Sequence, residues 1–195
     1  MENNAKSLYD ELKEVQVGRE EIFDGVIVHL VRDTVVLPNG SNATREVCLH
    51  NGAVCILPIT DGGEVLMERQ YRHAHGRVFF EIPAGKLDSP DEDPLSAAKR
   101  ELCEETGARA ERWTYLGAID PSPALISERI HFYLAEGLSF GETSFDEDEF
   151  LTVERHSLSS LVDMVMRGEI ADGKTQIAVL KVAEHLRRRN ATDCT

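Results

Sequence analysis

The sequence predicts an α+β fold, a sandwich in which helices cover a mixed sheet. Three observations carry that expectation: apolar runs separated by turn signals through the first half of the chain, one strongly capped helix in the middle, and two amphipathic helices at the end. With 42% hydrophobic and 29% charged residues, the chain has enough apolar surface for a packed globular unit.

Residues 1–20 are charged and helix-permissive. Residues 21–37 are rich in Ile, Val and Phe and close on Pro38-Asn39-Gly40, whose turn chemistry favours a hairpin with a return strand over 43–49. Residues 53–59 and 64–71 form a second pair joined by Asp61-Gly62-Gly63. Residues 77–82 add a strand with Val78, Phe80 and Ile82 on one side. The strongest helix follows. Asp93 is a good N-cap, Pro94 suits the first helical position, and Gly107 suits the position just past Thr106. Between them Leu95, Ala98 and Leu102 recur at the spacing of a buried stripe. Further strands are expected over 113–119, 130–134 and 150–154, the last two separated by an acidic loop. Two amphipathic helices finish the chain, one around Leu158, Leu161, Val162 and Val165, the other around Ile177, Leu180, Ala183 and Leu186. Arg187, Arg188 and Arg189 then form a solvated helix end that suits the macrodipole. Residues 1–50 are expected to make an N-terminal arm and small antiparallel sheet, and 51–195 the main domain.

The 21 Lys and Arg residues against 35 Asp and Glu give a net charge of −14, which argues against a general binder of nucleic acid or anionic membrane. If such a chain handles phosphate, cations must help. No apolar run approaches the ~18 residues of a membrane span, and the first twenty residues mix Glu, Lys and Asp, so a cytoplasmic location is expected. Cys48, Cys55, Cys103 and Cys194 form no Cys-x-x-Cys pair and read as reduced, mostly buried small apolar residues. His73 and His75 lack a third ligand and do not read as a zinc site.

On the capped helix, with Glu101 set at 0°, Glu105 falls at about 40° and Glu104 at about −60°, so three carboxylates share one edge beside the buried stripe. Glu101 and Glu105 are one turn apart, close enough to hold one hard cation or bridge two. Taken alone, such an edge reads as a solvated acidic face. The surrounding residues change the reading.

Gly85-Lys86-Leu87, then Glu92, then Arg100-Glu101-Leu102-x-Glu104-Glu105-x-Gly107-Ala108 resembles the Nudix box, Gly-x5-Glu-x7-Arg-Glu-apolar-x-Glu-Glu-x-Gly-apolar. Seven residues separate Glu92 from Arg100, as the pattern requires. Six, 86–91, separate Gly85 from Glu92 where the family has five, and the extra residue falls in the Ser89-Pro90-Asp91 turn. Glu92 is taken as the box glutamate, with Asp91 as the competing choice. The resemblance runs over roughly residues 20–185 and looks like the family's ADP-ribose pyrophosphatase branch. It rests further on Ile82-Pro83-Ala84-Gly85-Lys86-Leu87, on Glu68-Arg69-Gln70-Tyr71-Arg72, on Pro123 beyond the box and on Thr44-Arg45-Glu46, although Ala124 replaces a frequent glycine after Pro123.

The resemblance implies a Nudix-type α/β/α sandwich plus a small N-terminal antiparallel sheet. It implies Mg²⁺-dependent hydrolysis of ADP-ribose to AMP and ribose 5-phosphate, with Mn²⁺ as a substitute, by a homodimer. It assigns the metal to Glu101, Glu105 and Glu104 with the carbonyl of Ala84. Arg100 and Glu92 become a pair that fixes the loop on the helix, near the metals. It places the general base in the acidic loop, where Glu149 is chosen and Glu147 comes second. Arg72 is implied as a phosphate contact, Arg45 and Glu46 as adenosine contacts, and Pro123 and Glu128 as further substrate contacts. For Arg72, Arg45 and Glu46 the plain alternative is a surface salt bridge, and for Glu128 packing or solvation. Two rival functions keep parts of this reading: hydrolysis of GDP- or UDP-sugars or dinucleotides, and sensing of a nucleotide sugar without cleavage.

Overall fold

The computed structural model describes residues 10–143 and 150–193. The chain divides into two compact units, one of residues 1–51 with 120–128 and one of residues 52–119 with 129–195. The segment 120–128 therefore belongs with the N-terminal unit, although it lies beyond the helix in sequence.

The first unit is a three-stranded antiparallel sheet of β1 (Val15–Asp24), β2 (His29–Val36) and β3 (Asn42–Leu49), in that order. The stretch expected as one strand over 21–37 is thus two strands. A tight connection at Gly25-Val26-Ile27-Val28 separates them, where the Gly25 amide donates to the Val28 carbonyl at 2.9 Å. Of the helix-permissive stretch 1–20, residues 1–9 lie outside the described residues and Asp10–Leu12 forms one 3-10 turn, but from Val15 onwards the chain is β1, paired to β2 with bulges at Gln16/Gly18 and Glu21/Phe23. Asp33, buried in β2, takes a two-pronged pair from Arg19 at 2.7 and 2.8 Å and a hydrogen bond from Gln16. The β2–β3 hairpin closes at Pro38-Asn39-Gly40, where the Leu37 and Ser41 backbones are bonded at 2.8 Å. Ile126 adds a parallel bridge to Cys48.

The second unit holds a seven-stranded mixed sheet flanked by helices on both faces. Its central path is β10 (Leu151–Ser157), β5 (Glu64–Arg72), β4 (Ala53–Ile59), β9 (Ile130–Phe140) and β8 (Ala108–Ile119). β4 runs parallel to β9 from Ala53↔Ile130 to Ile59↔Glu136. The expected β4–β5 hairpin is nearly unpaired: its one register pair is Ile59↔Val65, beside the Gly62-Gly63 turn. Beyond that point the two strands part. β5 takes β6 (Arg77–Glu81) as its partner and β4 takes the short β7 (Ala84–Lys86). The Ile82-Pro83 link crosses the gap, and the Ile56 amide donates to the Pro83 carbonyl at 2.9 Å.

β4 is buried along its whole length because it is apolar on both sides. Ala53, Cys55, Leu57 and Ile59 face a core shared with α2 (Leu158–Met166) and α3 (Gly173–Asp193), through Leu161, Val165, Ala178, Val179 and Val182. Val54 and Ile56 face the opposite core, with Ala97, Ala98 and Leu102 of α1 (Pro94–Thr106). Leu180, expected in the buried stripe of α3, is instead 41% exposed; Val179, about 100° away around the helix, takes the core. No described helix is long and apolar enough to cross a membrane. Cys48 and Cys103 are half-buried free thiols, and Cys55 is fully buried, which pushes its pKa up.

Candidate active site

The helix that carries the acidic edge is fixed at both ends by local chemistry. The Asp93 carboxylate accepts from the Ser96 amide at 2.9 Å, Pro94 opens the helix, and Gly107 closes it in the left-handed region at φ 66°, its amide bonded to the Cys103 carbonyl. From this frame two carboxylates converge on the backbone of β7. Glu105, 3% exposed, accepts from the Ala84 amide at 3.1 Å. Glu101 lies against Gly85, so closely that a Cβ there would sit 1.9 Å from its carboxyl carbon. A side chain at 85 would have to displace that carboxylate, which occupies its space. Glu104, one step round the helix, is far more exposed.

Arg100 holds this edge to the loop before the helix. Its Nη1 donates to Glu101 at 2.7 Å and to Glu104 at 3.4 Å, and its Nη2 reaches Glu92 at 3.4 Å and the Lys86 carbonyl at 3.3 Å, with Asp88 at 3.6 Å. Burial alone would lower the pKa of its guanidinium. The surrounding carboxylates outweigh that and raise it. Glu92 also accepts from the Asp88 amide at 2.6 Å, so the loop with the extra residue closes on Glu92 while Asp91 stays exposed at the surface.

Arg72 belongs to a second charged group, whose other members sequence reasoning missed. Arg72, at the end of β5, gives its Nε and Nη2 to the two oxygens of Glu81 at 2.8 and 2.9 Å. The Glu81 side chain is 4% exposed and also receives Lys174. Lys174 lies 3.1 Å from Asp172, which accepts from both the amide and the hydroxyl of Thr175. Thr175 in turn accepts from the Ile82 amide at 3.0 Å. Two cations and two carboxylates thus form a neutral group. Burial pushes the Glu81 carboxyl up, but Arg72 and Lys174 outweigh it and leave it below its ordinary range. Burial lowers Lys174, and Asp172 and Glu81 more than restore it. The sequence-based expectation gave the arginine's two-pronged edge to a phosphate; in the structure one such edge of Arg72 is held by Glu81.

The other expected contacts lie in the N-terminal unit. Arg45 pairs with Glu14 at 2.5 Å and Glu46 with Arg32 at 3.0 Å on β3. Pro123 lies in the turn of 120–128, and Glu128 stands 3.8 Å from His50. Glu149 and Glu147 lie outside the described residues. Among the described residues no three His, Cys, Asp or Glu side chains are grouped as for a metal ion. The donor set is nonetheless one that fits magnesium: Glu101, Glu105 and the carbonyl of Ala84 offer only hard oxygens, and Gly85 clears the space beside them.

Fold and acidic helix together define a class. The NUDIX domain pattern matches residues 49–177, and the chain belongs to the Nudix family. It is 41% identical over 170 residues to the ADP-ribose pyrophosphatase of Bacillus subtilis, covering 86% of this chain and 91% of that one. A methanol dehydrogenase activator of Bacillus methanolicus is 40% identical over 181 residues, with 91% and 97% covered. A GDP-mannose pyrophosphatase of Yersinia enterocolitica is 32% identical over 143 residues, with 69% and 73% covered. The crystal structure of an ADP compounds hydrolase superposes with a TM-score of 0.81 over 91% of this chain and 96% of that one, at 24% identity, and so shares the fold. Within the Nudix family the chain is a pyrophosphatase hydrolase, grouping with the ADP-ribose pyrophosphatase branch.

Proposed function

We propose that the chain hydrolyses the pyrophosphate bond of ADP-ribose to AMP and ribose 5-phosphate in the cytoplasm, with Mg²⁺ held by Glu101, Glu105, Glu104 and the Ala84 carbonyl and with Mn²⁺ as a substitute. The observation that carries the reading is the convergence of Glu101 and Glu105 on the backbone of Ala84 and Gly85. Mg²⁺ held by such a set would lower the pKa of water and neutralise charge on the phosphates. The chain's own residues do the rest. Arg100 braces the helix edge, Arg72 binds the pyrophosphate, and Glu149 takes the proton from the attacking water, with Glu147 second. Arg45 and Glu46 hold the adenosine side, Pro123 and Glu128 the remainder of the substrate.

A homodimer goes with this reading. β1 is an edge strand of the small sheet, exposed along its length, and Val15, Val17 and Phe23 are each more than half exposed on it. A second copy of the chain would cover them. The rival sensing role has no use for a full carboxylate edge. The GDP-mannose relative keeps a second substrate class in view, at lower identity.

The test is a panel of ADP-ribose, ADP-glucose, GDP-mannose, UDP-glucose, NADH and diadenosine polyphosphates, each with Mg²⁺ and with chelator. AMP released fastest from ADP-ribose, and stopped by chelator, is the expected result. A faster GDP- or UDP-sugar would remove the adenosine contacts at Arg45 and Glu46, and an intact panel would remove hydrolysis.

A further inference from the structure

We propose that Glu81 is a positioning residue for pyrophosphate recognition: it fixes the guanidinium of Arg72 by one edge so that the opposite edge, Nη1 and the second Nη2 hydrogen, presents a donor pair to the substrate. The inference deepens the hydrolytic reading and rests on it.

The geometry supplies the reasons. Arg72 is 40% exposed on its side chain while the carboxylate it grips is 4% exposed, so the pair runs from interior to surface with its cationic end outward. The fork is side-on, using Nε and Nη2, and a guanidinium gripped this way retains a second edge of matching geometry for a phosphate. Glu105 also exerts a field on Arg72. Gripped at two points by Glu81, the guanidinium has a counterion of its own and is held in one orientation.

The second cation explains how so buried a carboxylate stays ionised. Lys174 shares Glu81 with Arg72, and Asp172 balances Lys174, so no member of the group is a lone buried charge. The group also reaches the backbone on which Glu105 rests. Asp172 holds Thr175, Thr175 holds the Ile82 amide, and two residues on is Ala84. One network therefore sets both the phosphate arm and the peptide on which Glu105 rests.

The test is a double-mutant cycle of Arg72→Ala and Glu81→Gln, read as kcat/KM for ADP-ribose with Mg²⁺ and accompanied by thermal unfolding of each variant. Each single change should lower kcat/KM by about 10²-fold, the scale of an ångström-sized misplacement of a binding group. In the Arg72→Ala background, Glu81→Gln should cost less than about twofold more, since the residue it positions is already gone. The stability cost of Glu81→Gln should also be smaller in the Arg72→Ala background, because the ion pair it breaks is already gone. Losses that multiply, or a Glu81→Gln variant as active as the unsubstituted chain, would overturn the inference. If Glu81→Gln loses its cooperative transition, Glu81→Asp takes its place in the cycle. That change keeps the charge for Lys174 but withdraws the carboxylate from Arg72 by one methylene. Failure of the unsubstituted chain to cleave ADP-ribose would overturn the functional reading and this inference with it, whereas turnover with multiplying losses would overturn the inference alone.

Discussion

Gly85→Ala tests the site at its tightest point. A Cβ added there would lie 1.9 Å from the carboxyl carbon of Glu101 and 2.0 and 2.3 Å from its two oxygens. Ordinary contact begins at 3.4 Å, so the carboxylate must retreat by 3.4 − 1.9, or 1.5 Å. It is the far end of a flexible side chain, and residue 85 does not use the left-handed region, so the backbone need not move. Stability should therefore change little. Turnover should fall by about 10²-fold, or about 2.7 kcal/mol in the barrier, the cost of a 1 Å error in a reacting constellation. The assay is the initial rate of AMP release from ADP-ribose across a Mg²⁺ titration, with thermal unfolding alongside. Gly62→Ala is the control, since its Cβ would meet only the Thr60 hydroxyl at an ordinary 3.6 Å. A Gly85→Ala protein with unchanged rate and unchanged Mg²⁺ dependence would show that the Glu101 carboxylate is not needed where it lies.

Other expectations follow from the same geometry. Glu105→Gln should lose more than the roughly 10–100-fold that removing a metal's outer partners costs, with the fold intact, since the amide can still accept from Ala84; normal turnover would end the metal assignment. Glu149→Gln should slow the chemical step by about 10²–10⁴-fold with little change in Mg²⁺ affinity, and an unchanged rate would move the role of base to Glu147 or the helix. Thr175→Val leaves the buried Ile82 amide without its acceptor and should cost about 1–3 kcal/mol in urea unfolding, a loss whose absence would deny the Ile82 bond any weight. The pH dependence has a definite sign. Glu81 is held below its ordinary 4.5, so its stabilisation is present above pH 4.5 and is lost as pH falls through the lower folded value. Lys174 is held above 10.5, so its stabilisation is complete below pH 10.5 and is lost as pH rises through the higher value. Unfolding followed across pH should show an acid limb below pH 4.5 that shrinks in Glu81→Gln, and an identical limb in both proteins would place the acid loss elsewhere.

What the sequence reveals here is what is local. The cap at Asp93, the stop at Gly107 and the grouping of Glu101, Glu104 and Glu105 follow from 3.6 residues per turn and need no distant partner. The N-terminal strands show where hydrophobicity misleads. Val26, Ile27 and Val28 look like strand interior, yet they form an exposed connection, and the Asp24-Gly25 pair was the turn signal that should have outweighed them. Strand partners were beyond reach, because an alternating pattern says which face is buried but not that β4 will choose β9 over its neighbour β5. Glu81 and Lys174 are 93 residues apart, and no spacing rule joins them. The one available hint was an acid set between Phe80 and Ile82, in a strand with no reason to expose it.

Asp172, Lys174 and Thr175 open the final helix, and that placement has a consequence for biosynthesis. Synthesis is vectorial, and every strand of both sheets, as well as the acidic helix, leaves the ribosome before these three residues do. Until they emerge, the Glu81 carboxylate has Arg72 alone and the Ile82 amide lacks its hydroxyl. Closure of the charge group around Glu81 therefore waits on residues 172–175, and the order of synthesis makes the setting of the Arg72 guanidinium a late step of folding.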